Sequence, residues 1–165
     1  MSQAILRSIP AVLVFCGAMM FSAAVDAQPS FRDSIVQAQA LIRSGTRQII
    51  QQELMLDDDE QAAFWPLYDE YDAELRAIDA KYIDLVSEFV ERYQAGDMSD
   101  DDADRLLDAS LGIEMDGLQI RQRYVRHFRK ILSGLQVARL YQLGNKVRAE
   151  VDAALALAIP LADPS

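Results

Sequence analysis

Residues 58–95 read DDEQAAFWPLYDEYDAELRAIDAKYIDLVSEFVERYQA. Within them Phe64, Tyr68, Tyr71, Leu75, Ile78, Tyr82, Leu85 and Phe89 recur at alternating spacings of four and three. A strand would alternate every second residue, whereas this pattern draws one apolar line along a helix and repeats as heptads do. Asp72 with Arg76 and Glu88 with Arg92 place an acid one turn ahead of a base, which suits the exposed side of the same helix. A continuous helix over Asp58–Ala95 would be roughly 57 Å long. Pro66 lies inside it and has no N–H, so a kink is expected between Ala62 and Pro66.

The neighbouring segments carry the same periodicity. Ile35, Ala38, Ile42, Gly45 and Ile49 mark a first helix over Phe31–Met55, followed by a stop at Leu56-Asp57. Asp57 with Glu60 has the composition of a capping box for the long helix. Beyond Ala95, Gly96 suits a left-handed C-terminal cap, and Ser99 with Asp102 opens a third helix. A link of four residues makes that helix double back into an antiparallel hairpin. Its seam is expected along Leu107, Leu111, Glu114, Leu118, Arg121, Val125, Phe128 and Leu132, with Gly112 and Gly117 making room for the aromatics opposite. A fourth helix opens at Ser133 and follows Val137, Leu140, Gly144, Val147, Val151, Ala154 and Ala158 as far as Pro160, before a short tail. The expected fold is all-α, with four helices and a long antiparallel helical hairpin.

The N-terminus has a different character. Arg7 precedes an almost wholly apolar run, Ile9–Phe21, and small residues lead to Val25-Asp26-Ala27. This is the layout of a secretory signal peptide cleaved after Ala27, which divides the chain into a signal over 1–27 and one domain over 28–165. An uncleaved anchor is the alternative, since Ile9 to Val25 is at the short end of what crosses a bilayer, with Pro10 and Ser22 interrupting it. Lipidation at Cys16 is disfavoured by bulky Phe15 beside it. The expected location is the periplasm, with no stable membrane insertion after cleavage. Cys16 would leave with the signal, so stability must come from burial without disulfides.

The whole chain carries a net charge of −10, and removing Arg7 and Asp26 leaves that unchanged. Such a surface argues against nucleic-acid binding, which needs cations to displace counterions. The average hides a segregation. Glu53–Asp108 holds 19 acidic and four basic residues, whereas Gly117–Ala149 holds eight basic residues and no acid. The two segments either neutralise each other by packing side by side, or leave a basic surface open to an acidic partner.

Nothing in this composition assembles a catalyst, so no enzymatic activity and no cofactor are expected. His127 stands among Arg126, Arg129 and Lys130, where neighbouring cations disfavour a bound proton or metal. Asp57-Asp58-Asp59-Glu60 and Asp100-Asp101-Asp102 lack the spacing and the turn glycine of a calcium loop, and read as helix caps. Glu114 and Arg121 interrupt the third seam, either to fix its register or to line a ligand groove. Trp65 lies one place off the long seam, where an aromatic makes a contact anchor. The candidate partner-binding set is Arg121, Arg123, Tyr124, Arg126, Phe128, Arg129 and Lys130. This mixture of cations and rings suits either an anionic or unfolded chain, or a solvated face paired with the acidic helix.

Two short stretches suggest a family. Leu132-Ser133-Gly134-Leu135-Gln136 resembles the LTxxQ motif of Spy/CpxP-like periplasmic proteins, with Ser in the place of Thr. Leu56-Asp57-Asp58-Asp59-Glu60 stands where a second copy belongs, Asp and Glu replacing Thr and Gln while preserving the capping chemistry. The resemblance implies a curved helical homodimer linked to envelope stress. Some relatives hold unfolded clients without ATP, and others sense or bind metals. The His-rich ligand sets of the metal-binding members are absent here, and the chain is more acidic than the chaperone members. The leading expectation is a non-enzymatic periplasmic binding protein that acts as a holdase for unfolded or partner proteins. The alternative is a regulatory or metal-sensing module that acts through a membrane partner.

Overall fold

The computed structural model describes residues 31–162, except for the side chains of residues 31, 38, 39 and 41–44. The signal segment 1–27 with Cys16, the end of the tail, and the side chains of Ala38 and Ile42 in the first stripe therefore lie outside the described residues. Within them the fold is all-α: α1 (Phe31–Leu54), α2 (Asp58–Ala95), α3 (Asp100–Phe128) and α4 (Gly134–Ala158). No helix among the described residues is long and apolar enough to cross a membrane.

The helix ends follow from local chemistry. Asp57, Ser99 and Ser133 are N-caps in extended backbone, and each closes a capping box with Glu60, Asp102 and Gln136 respectively. Each box satisfies backbone donors that the first helical turn leaves unpaired. At the far end of α2, Gly96 takes φ +68°, a left-handed conformation that costs a residue without Cβ little. Met55 adopts φ +49° between α1 and α2, an uncommon conformation for a residue with a side chain. α2 continues through Pro66, and both Pro66 and Ala62, whose carbonyl loses its helical donor, are exposed.

Pairs of contacts give the directions. Arg92 meets Asp102 at 3.2 Å, Lys81 meets Asp116 at 3.6 Å, and Phe64 meets Phe128 at 5.6 Å between ring centroids, so α2 and α3 run antiparallel. Arg32 pairs with Asp84 at 2.7 Å and Arg47 with Asp69, which sets α1 antiparallel to α2. Arg139 reaches Glu53 at 2.7 Å and ties α4 to α1.

The main core gathers at one end of the hairpin. Ile50 and Leu54 of α1, Phe64 of α2, Ile120, Tyr124 and Phe128 of α3, Leu132, and Val137 and Leu140 of α4 form one buried cluster. Phe64 is fully enclosed. Its ring lies 5.0–5.6 Å from those of Trp65, Tyr68 and Phe128, edge-on to the first, stacked with the second and tilted against the third. Trp65 holds α1 as well, with the Arg47 guanidinium 4.2 Å above its ring.

Four expected faces are displaced by one residue in whole or in part; in α4 this occurs at the far end, where Leu155 is buried and Ala154 exposed. In α1 the buried positions are Ile50 and Leu54, while Ile49 is exposed. In α2 the expected line from Phe64 to Ile78 packs on the core. Further along, the fully buried positions are Ile83, Val86 and Val90, with Tyr82, Leu85 and Phe89 only half-buried beside them. That turn of the buried line occurs where ion pairs bring the first turns of α3 alongside. In α3 the buried line is Leu106, Gly117, Ile120, Tyr124 and Phe128, while Leu107, Leu111, Glu114 and Leu118 face outward. The outward line contains Glu114, and the inward one contains no charged residue, so burial selects the latter. Gly112 faces open space. At Gly117 the crowding comes from Arg121 and Ile78 rather than from aromatic rings.

Candidate functional site

The one-residue displacement in α3 creates its most unusual surface. Leu107, Leu111 and Met115 are 58, 55 and 55 % exposed, and Leu118 continues the same line at 39 %. Their spacings of four, four and three keep them on one side of the helix. Toward the C-terminal end this line meets exposed Arg126, Arg129 and Lys130, for which no carboxylate partner occurs among the described residues.

The candidate binding residues therefore separate into four groups. Tyr124 and Phe128 are 6 and 2 % exposed and belong to the core, so their rings are not available to an incoming chain. Arg123 is held by Glu74 of α2. The Tyr124 hydroxyl donates to the same carboxylate at 2.8 Å. This phenol, followed by Arg123, holds the Glu74 carboxyl below its usual range. Burial, followed by the Glu74 hydrogen bond, pushes the Tyr124 phenol up. Arg123 and Tyr124 thus clamp α2 to α3. Arg126, Arg129 and Lys130 remain on the surface, and Arg121 stands apart, half-buried between helices.

Charge segregation is neutralised in part. Of the eight cations in Gly117–Ala149, Arg123 and Arg139 form ion pairs with acids of the Glu53–Asp108 segment. The acids at the turn between α2 and α3 find partners nearer in sequence: Arg105 pairs with Glu88, and Arg92 with Glu88 and Asp102.

The two motif-like stretches meet in space. The Gln136 amide donates to both Glu60 carboxylate oxygens, at 3.2 and 3.1 Å, so the closing residues of the two capping boxes bind each other across 76 positions of sequence. Leu132 is buried and Leu56 packs on the same cluster. Among the described residues, no group of three His, Cys, Asp or Glu side chains gathers to hold a metal. His127 is exposed, its ring 5.8 Å from that of Tyr124.

A cleft of about 300 Å³ opens beside the surface cations, between α3 and α4. Leu118 and Val125 line it, with Arg121, Arg126 and Arg129 from α3 and Tyr141 from α4. Sequence reading placed Arg121 here only as one option and missed the α4 side. The available signal was the polar line Tyr141, Asn145 and Arg148, spaced four and three along a helix otherwise read for its apolar stripe.

The sequence matches no family model, and neither the curated proteins nor the solved structures provide a match.

Proposed function

We propose that this chain is a secreted, non-enzymatic binding protein that holds unfolded or partner polypeptides on the outward face of α3, as an ATP-independent holdase of the cell envelope. The observation that carries the reading is the alignment of exposed Leu107, Leu111 and Met115 with the unpaired cations Arg126, Arg129 and Lys130. A non-native chain exposes apolar side chains of varied shape. Leucines and a flexible methionine adapt to these without demanding one sequence. Cations at the end of the line attract acidic segments and raise the rate of encounter. The meeting of the two capping boxes also supports the resemblance to Spy/CpxP-like proteins, because it gives the paired motif a joint structural task.

The test is light scattering of an aggregating client in metal-free buffer without ATP. The purified 28–165 chain is expected to suppress aggregation at near-stoichiometric amounts. Replacing Leu111 and Met115 with Glu is expected to abolish suppression, and replacing Arg126, Arg129 and Lys130 with Glu to weaken it, with helicity preserved in both. Unchanged suppression in both variants removes the surface assignment.

A second occupant of the same face is favoured by the charge order along α3. Asp100, Asp101, Asp104 and Asp108 lie toward its start, and Arg126, Arg129 and Lys130 toward and just past its end. Two copies in antiparallel register about Met115 would set Asp104 against Arg126 and Asp101 against Arg129. Sedimentation across a concentration series separates the readings. A tight dimer that is lost with Leu111→Glu and inert toward clients assigns the face to self-association.

A further inference from the structure

Arg121 is the cation whose surroundings least explain it. Its side chain folds back along α3 over Gly117, so that Nη1 lies 3.3 Å from where a Cβ on that glycine would stand. Ile78 of α2 closes the other side, 3.6 Å from the same point. Nε is buried and has no hydrogen-bond partner. Among the described residues, no carboxylate forms an ion pair with this guanidinium. Burial, and then the Arg148 guanidinium, pull its pKa below the usual arginine value, with Tyr71, Tyr141 and Asp79 acting in the opposite sense. Tyr71 responds to the same neighbours: burial raises its pKa, while Arg121 and Arg148 pull it down.

Arg121 and Tyr141 thus line the same cleft between α3 and α4, and the charges of Arg148 and Asp79 both reach the Arg121 guanidinium. Arg148 donates at 2.6 Å to the neutral Asn145 side chain, which leaves its charge uncompensated. Bringing like charges together away from water is unfavourable, and leaving a buried N–H unpaired adds to that cost. A carboxylate or phosphate reverses both terms, because its oxygens accept from planar guanidiniums in pairs and from phenol hydroxyls. The adjoining cleft, about 300 Å³, continues this polar end along Leu118 and Val125. That volume lies at the lower end of ordinary ligand pockets, roughly 300–1,000 Å³.

We propose that the cleft between α3 and α4 is a binding site for a small anionic amphiphile. Arg121 and Arg148 hold a carboxylate or phosphate head with the help of Tyr141, and a single short apolar chain lies along Leu118 and Val125. Arg126 and Arg129 on the rim draw the anion in. This goes beyond holding polypeptides: the cleft shares Leu118, Arg126 and Arg129 with the outward face of α3, and adds Arg121, whose Nε is buried beneath it.

The experiment is calorimetric titration of the purified 28–165 chain with sodium decanoate, decyl phosphate, decanol and inorganic phosphate, all below micellar concentrations. Decanoate or decyl phosphate is expected to saturate at one molecule per chain, and the tighter of the two identifies the head group. Arg148→Gln and Arg121→Gln are each expected to weaken that binding roughly tenfold or more, as the loss of a charged hydrogen bond implies. Decanol is expected to bind at least about tenfold more weakly, since it lacks the anion. Should Arg121→Gln lose helicity, Arg148→Gln and Tyr141→Phe carry the test alone. The site is overturned if neither anion binds, if binding survives Arg148→Gln unchanged, or if decanol binds as tightly as decanoate. Inorganic phosphate binding as tightly as decyl phosphate overturns the apolar half of the assignment.

Discussion

The two ends of the α2–α3 hairpin are built from the same heptad-like sequence and held by different forces. At the Phe64–Phe128 end, all four helices close around aromatic rings and branched side chains, and two capping boxes are joined through Glu60 and Gln136. At the Val90–Leu106 end, buried Ile83, Val86, Val90 and Leu106 stand outside that cluster, beside ion pairs among Glu88, Arg92, Asp102 and Arg105. Apolar burial contributes about 25 cal/mol per Å² irrespective of salt, whereas exposed ion pairs contribute about 0–1 kcal/mol each and are screened. The aromatic end is therefore expected to fix the fold, and the turn end to open first.

The most direct way to break this contrast is to cut one large side chain at each end. Phe64→Ala removes a fully enclosed ring that touches three others and is expected to destabilise the chain by about 3–5 kcal/mol. Leu106→Ala is expected to cost about 2 kcal/mol, at the lower limit for such truncations, because fewer elements surround it and the site can collapse. Urea unfolding followed by circular dichroism measures both. Equal losses would show that the turn end is packed as firmly as the aromatic one.

How much of this was legible before the structure depends on which residue types stand side by side. Caps were fully readable: Asp57–Glu60, Ser99–Asp102, Gly96 and Ser133–Gln136 act through a few local bonds, and the structure has each as read. The helical period was equally clear. Its phase was not, because α3 offers two apolar lines one residue apart, Leu106 beside Leu107 and Tyr124 beside Val125. Glu114 and Arg121 were the warning that the chosen line faced outward. Tyr124, one place off that line, was thus credited to a binding surface, as was Phe128 on account of the cations around it, although both lie in the core. The cleft shared by Arg121 and Tyr141 lies between two helices, and no spacing within one helix records it.

The link between the capping boxes sharpens the contrast from the aromatic side. Gln136→Ala removes the closing residue of the α4 box together with two hydrogen bonds to Glu60. A loss of about 1 kcal/mol is expected, typical of a helix cap. Glu60→Ala and the double variant complete a cycle in thermal unfolding. The double variant should cost less than the sum of the singles by about 0.5 kcal/mol or more. Strict additivity would mean that the two boxes cap their helices independently, and would weaken the case for a paired motif.

Acid should separate the two ends by a gentler route. Arg105 and Arg92 hold the Glu88 carboxyl below its usual value, and Ser99, followed by the arginines, does the same for Asp102. A depressed pKa in the folded state means that these bonds contribute fully above the ordinary carboxylate values of 4.5 and 3.8, and fade as pH falls through the lower, folded ones. The direction is loss of stability on acidification, and it falls on the turn end, where both groups lie. Glu74 is also depressed, but it sits beside the aromatic core, which protonation leaves intact. Lowering the pH from about 6 to about 3 is therefore expected to speed amide exchange, corrected for intrinsic rates, in the first turns of α3 more than across Ile120–Phe128. Because exposed pairs are screened, raising the salt at neutral pH should produce a smaller change of the same kind. Uniform acceleration along α3 would mean that the helix opens as one unit. In that case the aromatic core governs both ends, and the ion pairs at the turn decorate a structure they do not hold.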